Sequence, residues 1–336
     1  MKAYIIAEAG VNHNGDIKLA YELIDAAAQA GCDCVKFQTF RAEKLVTETA
    51  PQAEYQIQNI GKKSSQYEML KKLEFTFEQF AQLKAYCEKK GIDFLSTPFD
   101  EESADMLYEL GVKCFKFSSG DITNKPFLQY VAQKNLPMIL STGMCTLDEV
   151  KEAVSWVEES GNKQITLLHC TSNYPTPYQD VNMAAMQTLK DTFEYPVGYS
   201  DHTQGIVIPV MAAAMGAVVI EKHFTLDRNM EGPDHKASLE PSELAVMVKE
   251  IRIVESAMGT GEKKPCESEL GTRDVARKSL VYATDVAAGE VITSKMLTVK
   301  RPGTGIAPKY FGEMIGKKPV RDVKKDELAD WKDLET

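Results

Sequence analysis

The chain has no apolar run near the ~20 residues a membrane-spanning helix needs, so no transmembrane segment is read in it. Its start, MKAYIIAEAG, carries one Lys and a short apolar stretch before acidic Glu8. A secretory leader would need a longer apolar region and a cleavage site. Paired CxxC spacings are missing: the seven cysteines are odd in number and scattered, and Cys34, Cys114 and Cys170 lie inside apolar runs. Cys32 and Cys34 stand too close together to suggest a metal site. This usage suits reduced, structural thiols in a cytoplasmic protein. Excess positive charge is absent too. A net charge of −10 argues against a nucleic-acid backbone as partner. It still allows an anionic small molecule, because a few lysines converging in a cleft reverse the local field. Fixed-period repeats and low-complexity segments are missing, and histidine is scarce, with five residues.

What remains is an ordinary globular balance, 43% hydrophobic and 26% charged over 336 residues, enough for one large domain and a small one. Short β-rich runs alternate with helical patterns almost to residue 260. The candidate strands begin at Ala3 (AYIIAEAG), Cys34 (CVKFQT), Asp93 (DFLSTPF), Cys114 (CFKFSSGD), Pro137 (PMILSTG), Ile165 (ITLLHCTS), Val197 (VGYSDH) and Ala217 (AVVIEKHFT). Between them, segments such as KLAYELIDAAAQAG and LDEVKEAVSWVEESG place apolar residues at i, i+3, i+4 and i+7 and end in Gly. Eight β-then-α units in ~250 residues predict a (β/α)8 TIM barrel over 1–260. The competing architecture, an open doubly wound sheet, would carry a Gly-rich phosphate loop after its first strand, and AEAGVNHNG is not GxGxxG. The long connection Tyr55 to Phe75 is a candidate lid on the active-site face. Residues 261–275 read as an exposed linker. Residues 276–336 read as a small β-rich domain, with strand-like pieces KSLVYA, LTVKRP and KPVRDV and a short helix near Pro308 to Met314.

Polar residues collect where these strands end: Glu8, Lys36, Gln38, Thr97, Lys116, Ser119, Asp121, Ser141, Ser172, Tyr174, Ser200, Asp201, His202, Glu221 and His223. In a barrel all these ends face one mouth. His202 and His223 close adjacent strands, within reach of one ion. With Glu8 and Glu221 nearby they suit Mn²⁺, Fe²⁺ or Co²⁺ better than an all-oxygen Ca²⁺ site; the alternative is a pair of hydrogen-bonded core histidines. His169, inside ITLLHC, reads as core. Lys36 and Lys116 lie in otherwise apolar strands, where a lysine is costly unless an anion pairs with it. With Thr97, Ser119, Ser141 and Ser200 they form a cradle for phosphate and carboxylate. A Schiff-base aldolase lysine and a solvated strand edge stay open as alternatives. Asp234, in GPDHKASLEP, suits either a sugar hydroxyl or a turn, and Glu240 the start of the next helix. Taken alone, Arg301 reads as a surface residue.

With these residues laid out, the chain resembles the sialic acid synthase family of bacterial N-acetylneuraminate synthases and their relatives. The resemblance rests on AEAGVNHNG, VKFQTF, FLSTPFD, KFSSGD, LSTGM, HCTSNYPTP, GYSDHT, EKHFT, GPDHKAS and KRPGTGI, in order over nearly the whole chain. The C-terminal part resembles the family's antifreeze-like (SAF) domain. The resemblance implies condensation of phosphoenolpyruvate with the open-chain aldehyde of an N-acetylated hexosamine, with C–O cleavage and phosphate release. It implies a divalent metal on His202 and His223, usually Mn²⁺, with Mg²⁺ or Co²⁺ as substitutes. Phosphoenolpyruvate would meet Lys36, Thr97, Lys116, Ser119, Ser141, Ser172 and Ser200. The sugar would meet Gln38, Tyr174, Asp121 and Asp234. Glu8 and Glu221, with His223, would do the catalytic work of proton and water placement. Arg301 would reach the partner's mouth in a domain-swapped homodimer. Asp121 stands where many bacterial members have Glu, and Ser172 where some have Asn. N-acetylmannosamine is the expected acceptor. The alternatives are 2,4-diacetamido-2,4,6-trideoxymannose, taken by members making legionaminic acid, and the 6-phosphate taken by animal members.

Overall fold

Eight of the apolar runs pair in parallel, and helices pack around them. The computed structural model describes residues 2–52, 56–57, 59 and 65–335. Contacts divide the chain into two units, Met1–Gly259 and Thr260–Thr336.

In the first unit the strands are β1 (Tyr4–Gly10), β2 (Cys34–Thr39), β3 (Asp93–Pro98), β4 (Phe115–Phe117), β5 (Met138–Ser141), β6 (Ile165–His169), β7 (Val197–Asp201) and β8 (Val219–His223). Their order is β3-β2-β1-β8-β7-β6-β5-β4. The β1–β8 pairing joins the first strand to the last and rolls the sheet up, which rules out the open doubly wound alternative. At the remaining seam β3 and β4 lie side by side, with no ladder recorded between them among the described residues.

Successive strand residues point to opposite faces, and both faces are buried here. Ile6, Cys34, Leu95, Ile139, Leu168 and Val219 form one cluster from six different strands, the plug of the barrel interior. The alternate residues, among them Ile5, Val35, Phe94, Phe115, Leu140, Leu167, Val197 and Ile220, join the helices in the larger core.

The surrounding helices start and stop at local signals. Asp16 caps Ile17–Gln29, Thr76 and Gln79 form a capping box on Phe77–Lys90, and Thr146 and Glu149 do so on Leu147–Glu159. Gly91, at φ 71°, ends the second of these in the left-handed conformation that glycine adopts without penalty. Glu240 stands at the N-terminus of Pro241–Ala257, as read from the sequence. The long β2–β3 connection contains helices Ala42–Leu45 and Gln66–Leu73. The tip of the expected lid, Tyr55, 58 and 60–64, lies outside the described residues.

In the second unit β9 (Ser279–Tyr282) pairs antiparallel with β10 (Leu297–Lys300) over a core of Leu280, Tyr282, Val286, Ile292 and Met314. Two expectations need correction. KPVRDV forms no continuous strand and contributes only the isolated bridges Val286↔Val323 and Pro319↔Leu334. The stretch read as linker contains a helix, Leu270–Ala276, whose residues are largely solvent-exposed, so its apolar content gave no periodic signal. The short helical segment is present as Pro308–Tyr310 followed by Phe311–Met314.

Closure leaves little room inside the barrel floor. A methyl on Gly198 would come within 2.4 Å of the Val219 carbonyl oxygen and 2.7 Å of Leu168 Cδ2. Gly198→Ala should therefore cost about 1–3 kcal/mol of stability, seen as a lowered urea midpoint; an unchanged midpoint would show that the β7–β8 contact is looser than described.

Candidate active site

The same two-residue alternation that builds the barrel floor builds the site above it. Two residues beyond the floor in each strand, Ile6 gives way to Glu8, Cys34 to Lys36, Leu95 to Thr97, Ile139 to Ser141 and Val219 to Glu221. Strand register then sets neighbours: Glu8 pairs with Lys36 on one side and His223 on the other, Gln38 with Thr97, and Ser200 with Glu221. One small cavity is lined by Glu8, Lys36, Gln38, Thr97, Lys116, Ser119, Ser141, Tyr174, Ser200, His202, Glu221 and His223. Phe99 and Ser118 complete its wall.

Four of these side chains are buried and charged. Lys36 Nζ lies 2.8 Å from Glu8 Oε2 and 3.7 Å from Glu221 Oε2, and donates to Thr97 Oγ1 at 3.1 Å. Lys116 Nζ lies 3.6 Å from Glu221 Oε1 and donates to Ser141 Oγ at 2.7 Å and to the Phe117 carbonyl at 2.9 Å. Burial would raise both carboxyls, and the neighbours decide the outcome. For Glu8, burial and the charge of Glu221 outweigh the pull of Lys36 and push it up to about 7. For Glu221, Lys116 and Lys36 overcome burial and hold it at about 2. One cavity thus contains a carboxyl poised near neutrality beside one held firmly ionised, an arrangement that suits proton transfer.

The histidines face each other with ring centroids 5.6 Å apart, and the Tyr174 ring packs on His202 at 4.3 Å. His202 Nδ1 lies 2.6 Å from the Thr171 carbonyl. A carbonyl only accepts, so Nδ1 carries the proton and Nε2 keeps its lone pair. His223 Nδ1 is buried and has no hydrogen-bond partner among the described residues. Burial lowers the pKa of both rings, His223 furthest, so both stay neutral, the form that ligates metals. Among the described residues no three His, Cys, Asp or Glu side chains converge as a ready-made ligand set. The donor set therefore fits an ion that takes two imidazoles and fills its other positions with water or substrate oxygens.

The remaining site candidates of the first unit are not among the residues lining the cavity. Ser172 is one step back: a methyl on Gly143 would come within 2.4 Å of its Oγ and 2.8 Å of Ser119 Oγ, so both hydroxyls lie over that glycine. Asp121 is not among the residues lining the cavity, and its Oδ2 accepts from Ser118 Oγ at 2.7 Å. Asp234 is buried, and burial pushes its carboxyl up to about 6. It does not cap the turn His235–Ala237 that follows it. Arg301 belongs to the second unit and is solvent-exposed there. His169 bonds the Val181 carbonyl at 2.8 Å and is core, as read.

Sequence reasoning missed three features. Phe99 and Ser118 carry no chemical signature that marks a wall residue. Lys222, between Glu221 and His223, points to the opposite strand face, where it pairs with Asp201 at 2.5 Å, both fully buried. The alternation that turned Glu221 inward already implied that Lys222 turns outward.

The NeuB family model matches residues 23–263, and the SAF domain model matches 277–335. The chain is 50% identical over its whole length to the N,N'-diacetyllegionaminic acid synthase of Legionella pneumophila, covering 95% of that protein. It is also 50% identical, over 97% of its length and 98% of the relative's, to the protein of the same name from Campylobacter jejuni. Among solved structures it resembles N-acetylneuraminic acid (sialic acid) synthetase from Leptospira borgpetersenii in complex with citrate. That match has 39% identity, covers 81% of this chain and 90% of that one, and has a TM-score of 0.72.

The raised Glu8 pKa has a consequence for stability. Its value climbs from 4.5 to about 7 on folding, so the contribution is complete below the unfolded value and is lost as pH rises through the folded one. Glu221 acts in a separate window, between about 2 and 4.5. In thermal melts the advantage of wild type over Glu8→Gln should shrink between about pH 5 and 8; a difference that does not change with pH would mean that Glu8 does not titrate there.

Proposed function

The chain belongs to the NeuB family, and on that premise we propose that it joins phosphoenolpyruvate to the open-chain aldehyde of an N-acetylated hexosamine and releases phosphate. The observation that carries this reading is the buried lysine pair among hydroxyl side chains in one barrel mouth. Lys36 and Lys116 hold the phosphate and carboxylate, assisted by Thr97, Ser119, Ser141, Ser172 and Ser200. Gln38, Tyr174 and Asp234 bind the sugar. C3 of phosphoenolpyruvate bonds to the aldehyde carbon, and the aldehyde oxygen takes up a proton. Water adds to C2 and gives up one proton, and the C2–O bond to phosphate then breaks as the new C2 hydroxyl becomes the ketone and passes its proton to the departing phosphate. Glu8, poised near neutrality, exchanges these protons, and ionised Glu221 orients the water. His202 and His223 would hold the divalent metal, Mn²⁺ being the first choice, and when bound it would polarise the aldehyde as a Lewis acid.

Of the acceptors weighed from the sequence, the relatives favour 2,4-diacetamido-2,4,6-trideoxymannose over N-acetylmannosamine, since both 50% matches bear the legionaminic name. The aldolase alternative would need a neutral lysine, and the candidate is Lys116, which burial holds below its ordinary value. Yet Lys116 donates to two acceptors beside a carboxylate, the surroundings of an ammonium. Arg301 completes the mouth from a second copy of the chain.

Phosphate release should require both substrates, should be fastest with the diacetamido sugar among that sugar, N-acetylmannosamine and its 6-phosphate, and should stop on EDTA treatment. His202→Ala should lose at least ~10²-fold in rate. Release that survives EDTA and this substitution would remove the metal from the mechanism, and borohydride trapping of pyruvate would install the aldolase instead. Arg301→Ala should raise the KM for the amino sugar far more than that for phosphoenolpyruvate. Equal effects on the two would count against its reach into a partner's site.

A further inference from the structure

Ser118 lies immediately after β4 and before the turn Ser119–Asp121. It lines the same cavity as the lysine pair. Its hydroxyl donates to Asp121 Oδ2 at 2.7 Å, and Asp121 itself is absent from the cavity wall. Asp121 is locked from behind. Asn124's side chain bonds the same carboxyl. Asn124 Oδ1 also caps the helix Lys125–Ala132 by accepting from Phe127 N at 3.4 Å. Backbone bonds from Asp121 N to the Ser118 carbonyl (3.1 Å) and from Asn124 N to the Asp121 carbonyl (2.9 Å) close the turn.

This geometry fixes what Ser118 can offer. A hydroxyl has one proton and two lone pairs, and an ionised carboxylate can only accept. The proton of Ser118 is therefore committed to Asp121, and the cavity meets an oxygen lone pair, strengthened as an acceptor by the charge behind it. Such a group repels the oxygens of an anion. It suits the neutral partner of the reaction, and within that partner it suits a hydrogen-bearing substituent.

Building on the reaction proposed above, we propose that Ser118 binds the acceptor sugar by accepting a hydrogen bond from one of its O–H or N–H groups, with Asp121 as the positioning residue that sets the hydroxyl's polarity. The contact selects acceptors with a donor at that position. A substituent without a hydrogen there leaves a desolvated oxygen unpaired, which is the kind of mismatch that discriminates strongly.

The test uses the full chain with Mn²⁺ and measures phosphate release at varied N-acetylmannosamine, 2,4-diacetamido-2,4,6-trideoxymannose and phosphoenolpyruvate. Ser118→Ala should raise the acceptor KM roughly five- to tenfold, the loss of one hydrogen bond, while leaving the KM for phosphoenolpyruvate in place. Asp121→Asn should do the same, because an amide can donate to Ser118 and turn its proton toward the cavity. Ser118→Thr, which keeps the hydroxyl, should recover most of the loss. An unmoved acceptor KM in Ser118→Ala, or an equal rise in the phosphoenolpyruvate KM, overturns the contact. Absence of phosphate release by the wild type with every acceptor overturns the reaction, and the contact with it.

Discussion

Two lysines and two glutamates buried together at the mouth of a barrel are the constraint on which the rest of the site depends. Each charge alone would be too costly to bury. Together they cancel, and the hydroxyls of Thr97, Ser141 and Ser200 take up further hydrogen bonds. The balance is uneven in a useful way. Glu221 lies near both lysines and stays ionised, whereas Glu8 has Lys36 on one side and the charge of Glu221 on the other. An anion entering the mouth competes with Glu8 for Lys36, and Glu8 is the carboxyl that can accept a proton and give way. In the proposed reaction, substrate binding and proton placement would be one electrostatic event.

Such a cluster has to be held by backbone that does not move. Strand register places Glu8 between Lys36 and His223. On the opposite face of β7 and β8, Lys222 pairs with Asp201 and also donates to the Thr203 carbonyl, while Tyr199 and Thr203 donate to Asp201. Residues 201–203 are therefore tied to β8 from behind, and His202 lies among them. The loop after β8 is tied as well. Asn12 Nδ2 donates to the Phe224 carbonyl and Ser238 Oγ, Asn14 Nδ2 to the Glu231 carbonyl, and Asn59 Nδ2 to the Pro233 carbonyl. The asparagines of VNHNG, which take no direct part in the proposed chemistry, hold the segment that carries Asp234.

Much of this was legible in the linear chain because it rests on local regularities. The β-then-α alternation predicted the barrel. Polar residues at strand ends predicted twelve wall positions, from Glu8 to His223, that the structure brings to one cavity. The glycine that closes LDEVKEAVSWVEESG marked where that helix ends. The failures have physical causes. KPVRDV has strand composition but finds only isolated bridge partners, because β propensity reports a suitable surface and not a neighbour. Asp121, which the resemblance assigns to the sugar, also bonds the hydroxyl of its own turn and the residue that caps the next helix. Ser118 was passed over because a serine side chain carries no signal until its partner is known.

By itself, the sequence determined which side chains face inward and in what order they meet the mouth, since a strand's alternation is a property of the backbone alone. Only the tertiary structure decided how those side chains pair. Closure sets β1 beside β8, more than two hundred residues away, and so gives Glu8 two different neighbours and two opposing fields. The packing of β6 beside β7 likewise fixes the tautomer of His202 through the Thr171 carbonyl. Hydrogen-bond direction and pKa are set by the partner across space, which no periodicity along the chain encodes.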